Sequence, residues 1–202
     1  MRIISGKYKA KKLKTLKTND TRPTSDKVRG SIFSMLGEID GAVLDLFGGT
    51  GSLSVEALSR GAETAMIIDG ADDAVRLIRE NTRFVEEELE IYRNDFRRAL
   101  KAMAKRDKSF DLIFLDPPYR KKLVDQSLHK IKELKLLNPN GRIVVETSKD
   151  EKVNIDGFTC VKEHTYGTIK AVSVYFTSIE MYLHYLFEML SFYFEFFFAV
   201  HD

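Results

Sequence analysis

Asp116-Pro117-Pro118-Tyr119 is the densest piece of chemistry in the chain. Two consecutive prolines remove two backbone donors and hold the segment extended. That leaves an acceptor carboxylate on Asp116, a fixed carbonyl on Pro117 and a ring at Tyr119 on which a flat molecule can stack. Together they make a receptor for a planar molecule carrying an exocyclic amine, whose two N–H groups are both accepted while the ring lies over Tyr119. A nitrogen held this way is aligned for in-line attack on an electrophile, and positioning alone contributes ~7–11 kcal/mol in favourable cases. Plain loop chemistry is the alternative reading of a Pro-Pro turn. The neighbouring segments argue against it.

Three other segments carry acids or glycines where a ligand could sit. Asp45-Leu46-Phe47-Gly48-Gly49-Thr50-Gly51 ends an apolar run in a tight turn. Gly49 and Gly51 let the backbone approach a ligand with no Cβ in the way, ahead of a helix start with unpaired N–H groups. A dinucleotide fingerprint would need glycine at position 54, and Ser54 stands there. Asp69, 18 residues beyond Gly51, can accept both hydroxyls of a ribose. Asp69 or Asp72 could equally cap the next helix. Asn94-Asp95-Phe96 offers a carboxylate for an adenine amino group and a ring to pack on the base, although Asp95 is also a natural helix N-cap.

These segments need elements to align them, and the hydrophobic pattern supplies them. Short apolar runs at 42–47, 65–68 and 112–115 read as buried strands, 143–145 as another, and 91–94 as a weak one. Helical spacing separates them: 52–60 closed by Gly61, an amphipathic helix through Val75, Ile78, Val85 and Leu89, then 96–105 and 122–136. Residues 158–164 and 169–176 form a hairpin across Gly167. Near-continuously apolar strands alternating with helices predict a doubly wound α/β fold, its parallel sheet covered on both faces. In such sheets the strand carboxyl ends bind ligands, and all four segments sit at those ends. Ahead of this body, residues 2–5 and 8–14 could pair as a hairpin around Gly6-Lys7. Thr24 or Ser25 can cap a helix carrying Val28, Ile32, Met35 and Leu36 on one face.

Composition bounds the rest. The chain has 202 residues, 44% hydrophobic and 31% charged, with 12 Gly and 4 Pro, which excludes collagen-like and disordered classes. One cysteine, Cys160, can form neither an internal disulfide nor a cysteine zinc cluster; no metal is expected, and a reducing cytoplasm is. The start turns basic at once, with no apolar signal region. A net charge of +2 conceals a division: +8 over residues 1–30, −2 over 31–175 and −4 over 176–202. The organisation predicted is a basic arm over 1–40, an α/β domain over 41–175 and a tail over 176–202. A basic arm suits phosphates, through Lys7, Lys9, Lys11, Lys12, Lys14, Lys17, Arg22 and Arg29, although a solvated surface has the same composition.

The pairing of the 45–51 and 116–119 motifs resembles S-adenosylmethionine (AdoMet)-dependent amino-methyltransferases. The segments 2–6, 21–29, 56–62 and 166–168 narrow this, because they resemble the RsmD family, bacterial enzymes that methylate guanine N2 in small-subunit (16S) ribosomal RNA. The likeness runs over about residues 1–175. It implies a seven-stranded Rossmann-like sheet with its last strand antiparallel, AdoMet as cofactor and the assembling 30S subunit as partner. Carried over by motif, Asp45, Phe47, Gly49, Gly51 and Asp69 line the cofactor, with Asp95 and Phe96 near its adenine. Asp116, Pro117, Pro118 and Tyr119 hold the target guanine, which must be unpaired or flipped out. Arg22 and Thr24 sit at the pocket mouth with the RNA. One departure is Ala71, which stands where relatives carry a second acid after Asp69.

The other departure is the tail, since relatives generally stop soon after Tyr175. It holds seven of the 14 Phe and three of the 8 Tyr, and no Lys or Arg. Its acids and missing basic flank argue against a membrane span. A dimerising helix, a helix folded back on the domain, and a non-native extension are the readings, the last preferred. Two other functions share part of the pattern: a DNA amino-methyltransferase, for which the chain has no separate target-recognition region, and a non-catalytic RNA-binding assembly factor.

Overall fold

A computed structural model of the chain describes residues 1–15, 26–118 and 122–176. Tyr119, Arg22, Thr24, Lys17 and the tail beyond Phe176, with every expectation placed on them, lie outside the described residues.

Among the described residues twelve elements follow in order: α1 (Asp26–Leu36), β1 (Ala42–Asp45), α2 (Ser52–Ser59), β2 (Thr64–Asp69), α3 (Asp72–Asn81), β3 (Glu88–Arg93), α4 (Phe96–Ala104), β4 (Phe110–Leu115), α5 (Leu123–Glu133), β5 (Leu137–Ser148), β6 (Phe158–Tyr166) and β7 (Ile169–Phe176). They build one seven-stranded sheet in the order β3-β2-β1-β4-β5-β7-β6. Strands β1 to β5 pair in parallel, and β7 runs antiparallel between β5 and β6. Sequence order reverses between β1 and β4. That is the crevice where open α/β sheets bind their ligands.

The near-continuous apolar strands are explained by burial on both faces. Val43, Leu112, Phe114 and Val144 face α1 and α2 on one side. Leu44, Met66, Ile113, Leu115, Ile143 and Val145 face α4 and α5 on the other. Helix α2 ends as its sequence predicts: Gly61 N–H donates to the Leu58 carbonyl (3.3 Å) and Ala62 N–H to that of Ala57 (3.1 Å), with Gly61 at φ 124°. Helix α3 is shorter than its apolar spacing suggested. It stops at Asn81, and Val85 and Leu89 belong to the following loop and β3. Two successive elements there bury the same sheet face, so their apolar residues mimic one helical stripe. Among the described residues no helix is long and apolar enough to cross a membrane.

The N-terminal segment is not a free arm. Its hairpin is a single antiparallel bridge, Arg2 with Lys12, around a tight turn, and Ile3, Tyr8 and Leu13 are buried against Val55 of α2. The attachment centres on Glu56, a fully buried carboxylate in the middle of α2. Its Oε2 accepts Ile4 N–H (2.8 Å), and its Oε1 accepts Ser5 N–H (3.0 Å) and Arg60 Nε (2.7 Å). Arg29 of α1, also fully buried, brings its Nε to 3.6 Å. Ser59 adds an acceptor for Tyr8 N–H (2.8 Å) and donates to the Ser5 carbonyl (2.5 Å). Gly6 passes so close that a Cβ would lie 1.6 Å from the Ser59 carbonyl oxygen, at φ 81°. Only glycine fits.

Glu56→Ala should therefore cost about 3–5 kcal/mol, because it strands a buried guanidinium and two amides. Urea unfolding checks this: a loss under about 1 kcal/mol would show that the buried cluster does not hold the segment down. Glu56→Ala with Arg29→Met should recover part of the loss.

Candidate active site

The turn after β1 is pinned on both sides. Leu46 N–H donates to the Phe114 carbonyl of β4 (3.2 Å), and Gly48 N–H donates to the Ile68 carbonyl of β2 (2.8 Å). Gly49 lies at φ 54° and faces outward; a Cβ there would meet nothing nearer than the Phe47 carbonyl oxygen at 3.9 Å. Gly51 N-caps α2 from the left-handed region. Gly49 thus leaves bare backbone open beside a helix start, while the missing Cβ atoms of Gly48 and Gly51 face Ile67 and Ile78, letting the turn pack tightly onto them.

Asp69 spans two loops. Its Oδ2 accepts Gly49 N–H (2.9 Å) and its Oδ1 accepts Ala71 N–H (2.8 Å). Each oxygen keeps a second lone pair for a ligand hydroxyl. Neither Asp69 nor Asp72 caps α3; Ala71 holds that position without a side-chain bond, and Asp72 and Asp73 fill the first turn. Asp95, by contrast, is a helix cap. It is exposed, and its carboxylate accepts the N–H groups of Arg97 (3.0 Å) and Arg98 (3.3 Å). Phe96, expected beside a base, is a core side chain at 6% exposure. Its centroid lies 5.4 Å from Phe47, and half-buried Phe47 is the more accessible ring.

Asp45 lies beneath the turn rather than in the open, at 1% exposure. Its Oδ2 accepts the Ser54 hydroxyl (2.9 Å) from α2, while Oδ1 has no donor in hydrogen-bonding geometry. Burial pushes its pKa up to about 7. Ser54 opposes the rise, and the charge of Asp69 adds to it. Across the crevice, Asp116 is half-buried, Pro117 buried and Pro118 exposed. Leu115 pairs with Val145, so Glu146 of β5 stands level with Asp116, and it is buried at 3% exposure. A lone acid ending the run Ile143-Val144-Val145 is the sequence signal that points to Glu146.

The basic residues expected to meet phosphate divide. Lys9, Lys11 and Lys12 are exposed. Lys7 pairs with Glu87 (2.9 Å) and Glu86 (3.0 Å), which hold its ammonium above the usual lysine range. Lys14 pairs with Glu80. Arg29 is a correction: its guanidinium is fully buried against Glu56, Asp26 (3.0 Å) and the Arg2 carbonyl, and has no surface to offer an RNA. The signal that could have placed it was Glu56 itself, the one charge inside the apolar helix 52–59.

A carboxyl whose pKa is raised by folding stabilises the native state below its ordinary range. That contribution is lost as pH rises toward about 7. Asp45→Asn cannot ionise, so its stability relative to the parent should improve from about pH 4 to about pH 7 and then level off. Urea midpoints across that range measure this; a pH-independent difference would remove Asp45 ionisation from the balance.

This geometry sits on a chain with clear relatives. The family model described as Conserved hypothetical protein 95 matches residues 1–175. The YlbH protein of Bacillus subtilis is 39% identical over 181 residues, 87% of this chain and 98% of that one. Ribosomal RNA small subunit methyltransferase D of Haemophilus influenzae is 32% identical over 175 residues, covering 84% and 90%. The solved structure of Escherichia coli yhhF superposes with a TM-score of 0.74 at 25% identity, over 86% of this chain and 96% of its own. By its motifs, its strand order and these relatives, the chain belongs to the RsmD family.

Proposed function

We propose that the protein methylates the exocyclic N2 of a guanine in small-subunit ribosomal RNA, using AdoMet, during assembly of the 30S particle. The observation that carries this reading is the tie between Leu46 and Phe114, which sets the glycine turn and the Asp116-Pro117 segment side by side at the strand-order reversal. The relatives' names support an RNA methyl acceptor. One solved structure of similar fold, at 18% identity, is a complex with SAH.

The residues present fit such a cofactor. Bare backbone at Gly49 and Gly51 would pass along it, Asp69 would take ribose hydroxyls, and Phe47 would contribute apolar surface. Asp45 would act from below, through Ser54 and the turn. When bound, AdoMet supplies an electrophilic methyl group on a sulfonium sulfur.

The chain's own task is to present a poor nucleophile. The lone pair of guanine N2 is delocalised into the ring. Hydrogen bonds from its N–H groups to Asp116 and the Pro117 carbonyl favour pyramidalisation and offset the positive charge developing on nitrogen. A methylated N2 would have one proton to shed, and Asp116 or water would accept it. A stacked, paired guanine cannot reach this crevice, so the base enters unpaired or flipped.

Asp116→Ala should lower methyl transfer at least 100-fold while AdoMet affinity changes less than about threefold, as for loss of a group acting mainly in the transition state. The check offers labelled AdoMet with 30S particles, naked rRNA or DNA. Full activity in the variant would overturn the assignment of Asp116. Transfer to DNA alone, or RNA binding by a protein that neither binds AdoMet nor transfers its methyl group, would overturn the function.

A further inference from the structure

A groove of about 650 Å³ runs between α1 and β6, on the sheet face that also carries α2. Nothing in the proposed reaction uses it. Residues 162, 164 and 166 alternate onto one face of β6, and Lys162, His164 and Tyr166 all line the groove. The His164 and Tyr166 rings stand 6.0 Å apart and 27° from parallel. His164 is exposed, while Tyr166 is half-buried against the core, so the pair is an anchored aromatic surface open to solvent.

The charge around it is one-sided. Asp26, the lining acid, is taken up by Arg29 (3.0 Å) and Arg2 (3.7 Å). Arg60 spends its Nε on Glu56. Lys27 on α1 and Lys162 on β6 are exposed and have no ion pair among the described residues, one on each wall. Two unpaired cations flanking an aromatic surface match the chemistry of single-stranded RNA, in which bases stack on rings and phosphates meet ammonium groups.

The groove also leads to the reaction site. Tyr166 ends β6, and Thr168, two residues on, accepts Lys149 N–H (2.9 Å) beside the end of β5. Its upper end therefore opens at the same carboxyl edge as Asp116. From β4 the sheet passes through β5 and β7 to β6, three strand spacings or roughly 14 Å. A few nucleotides cover that distance.

We propose that this groove binds single-stranded nucleotides flanking the modified base, with bases stacked on His164 and Tyr166 and phosphates held by Lys27 and Lys162. The inference rests on the RNA substrate proposed above, and direct binding tests it separately from methylation. A short fluorescein-labelled single-stranded RNA is titrated by anisotropy over a salt series, alongside AdoMet binding and thermal melting for each variant. Lys27→Ala with Lys162→Ala should weaken binding at least tenfold and reduce the salt slope by about 1.4, two phosphates at ~0.7 each. His164→Ala should weaken it about fivefold or more with the slope unchanged, as for a lost stacking surface. Wild-type protein that does not bind the RNA overturns the inference, as do variants that keep wild-type affinity and slope. Loss of methyl transfer in the variants at unchanged RNA affinity overturns it too. If wild type binds the RNA, the variants lose it and no methyl transfer occurs with any acceptor, the groove stands and the proposed reaction fails.

Discussion

A single buried carboxylate organises this molecule. Glu56 collects two backbone amides from the N-terminal segment, a guanidinium from α1 and another from the end of its own helix. Burying that charge is unfavourable unless donors surround it, and breaking such a cluster by removing one member costs far more than the cluster contributes net. The consequence is specificity of arrangement. Residues 1–15, α1 and α2 adopt the one mutual placement that satisfies Glu56. The glycine turn at the front of α2 is therefore tied to the basic segment behind it.

The site inherits its order from that placement and from backbone ties at the strand ends. Leu46 is bound to β4 and Gly48 to β2, and Asp69 spans the loops after β1 and β2. Two carboxylates then stand close together in unlike surroundings. Asp69 is half-exposed and accepts two amides, whereas Asp45 is buried with one oxygen unpartnered. Burial in low dielectric disfavours the charged form, and the neighbouring Asp69 charge adds to the effect. The pair thus separates an acid that reaches solvent from one buried beneath the turn.

Much of this was legible beforehand for a physical reason. Strands buried on both faces are apolar throughout, so the runs around Leu44, Ile67 and Ile113 showed their number and parallel character. Gly61, Asp95 and the Gly167 hairpin are local devices whose chemistry is complete within a few residues. The errors arose where the determining partner lay far along the chain. Val85 and Leu89 continue the spacing of α3 by coincidence, since β3 buries the same face. Arg29 reads as one more cation of a basic arm until Glu56, 27 residues away, is seen to enclose it. Phe96 reads as a stacking ring until Phe47 packs over it.

Residue order alone therefore determined the α/β alternation, the glycine turn, the acids at the strand ends and the Asp-Pro-Pro-Tyr segment, because each follows from periodicity or from steric limits within a short stretch. It also determined the charge division, with its basic start. Tertiary structure alone decided which of those charges reach solvent. Whether a Lys or Arg is paired depends on acids delivered by other elements, as with Lys7 on Glu87 and Lys14 on Glu80. It alone brought Lys27 of α1 and the Lys162, His164 and Tyr166 face of β6 into one groove, at least 135 residues apart in the chain. No local pattern encodes that meeting, because the sheet order that creates it is set by packing across the whole domain.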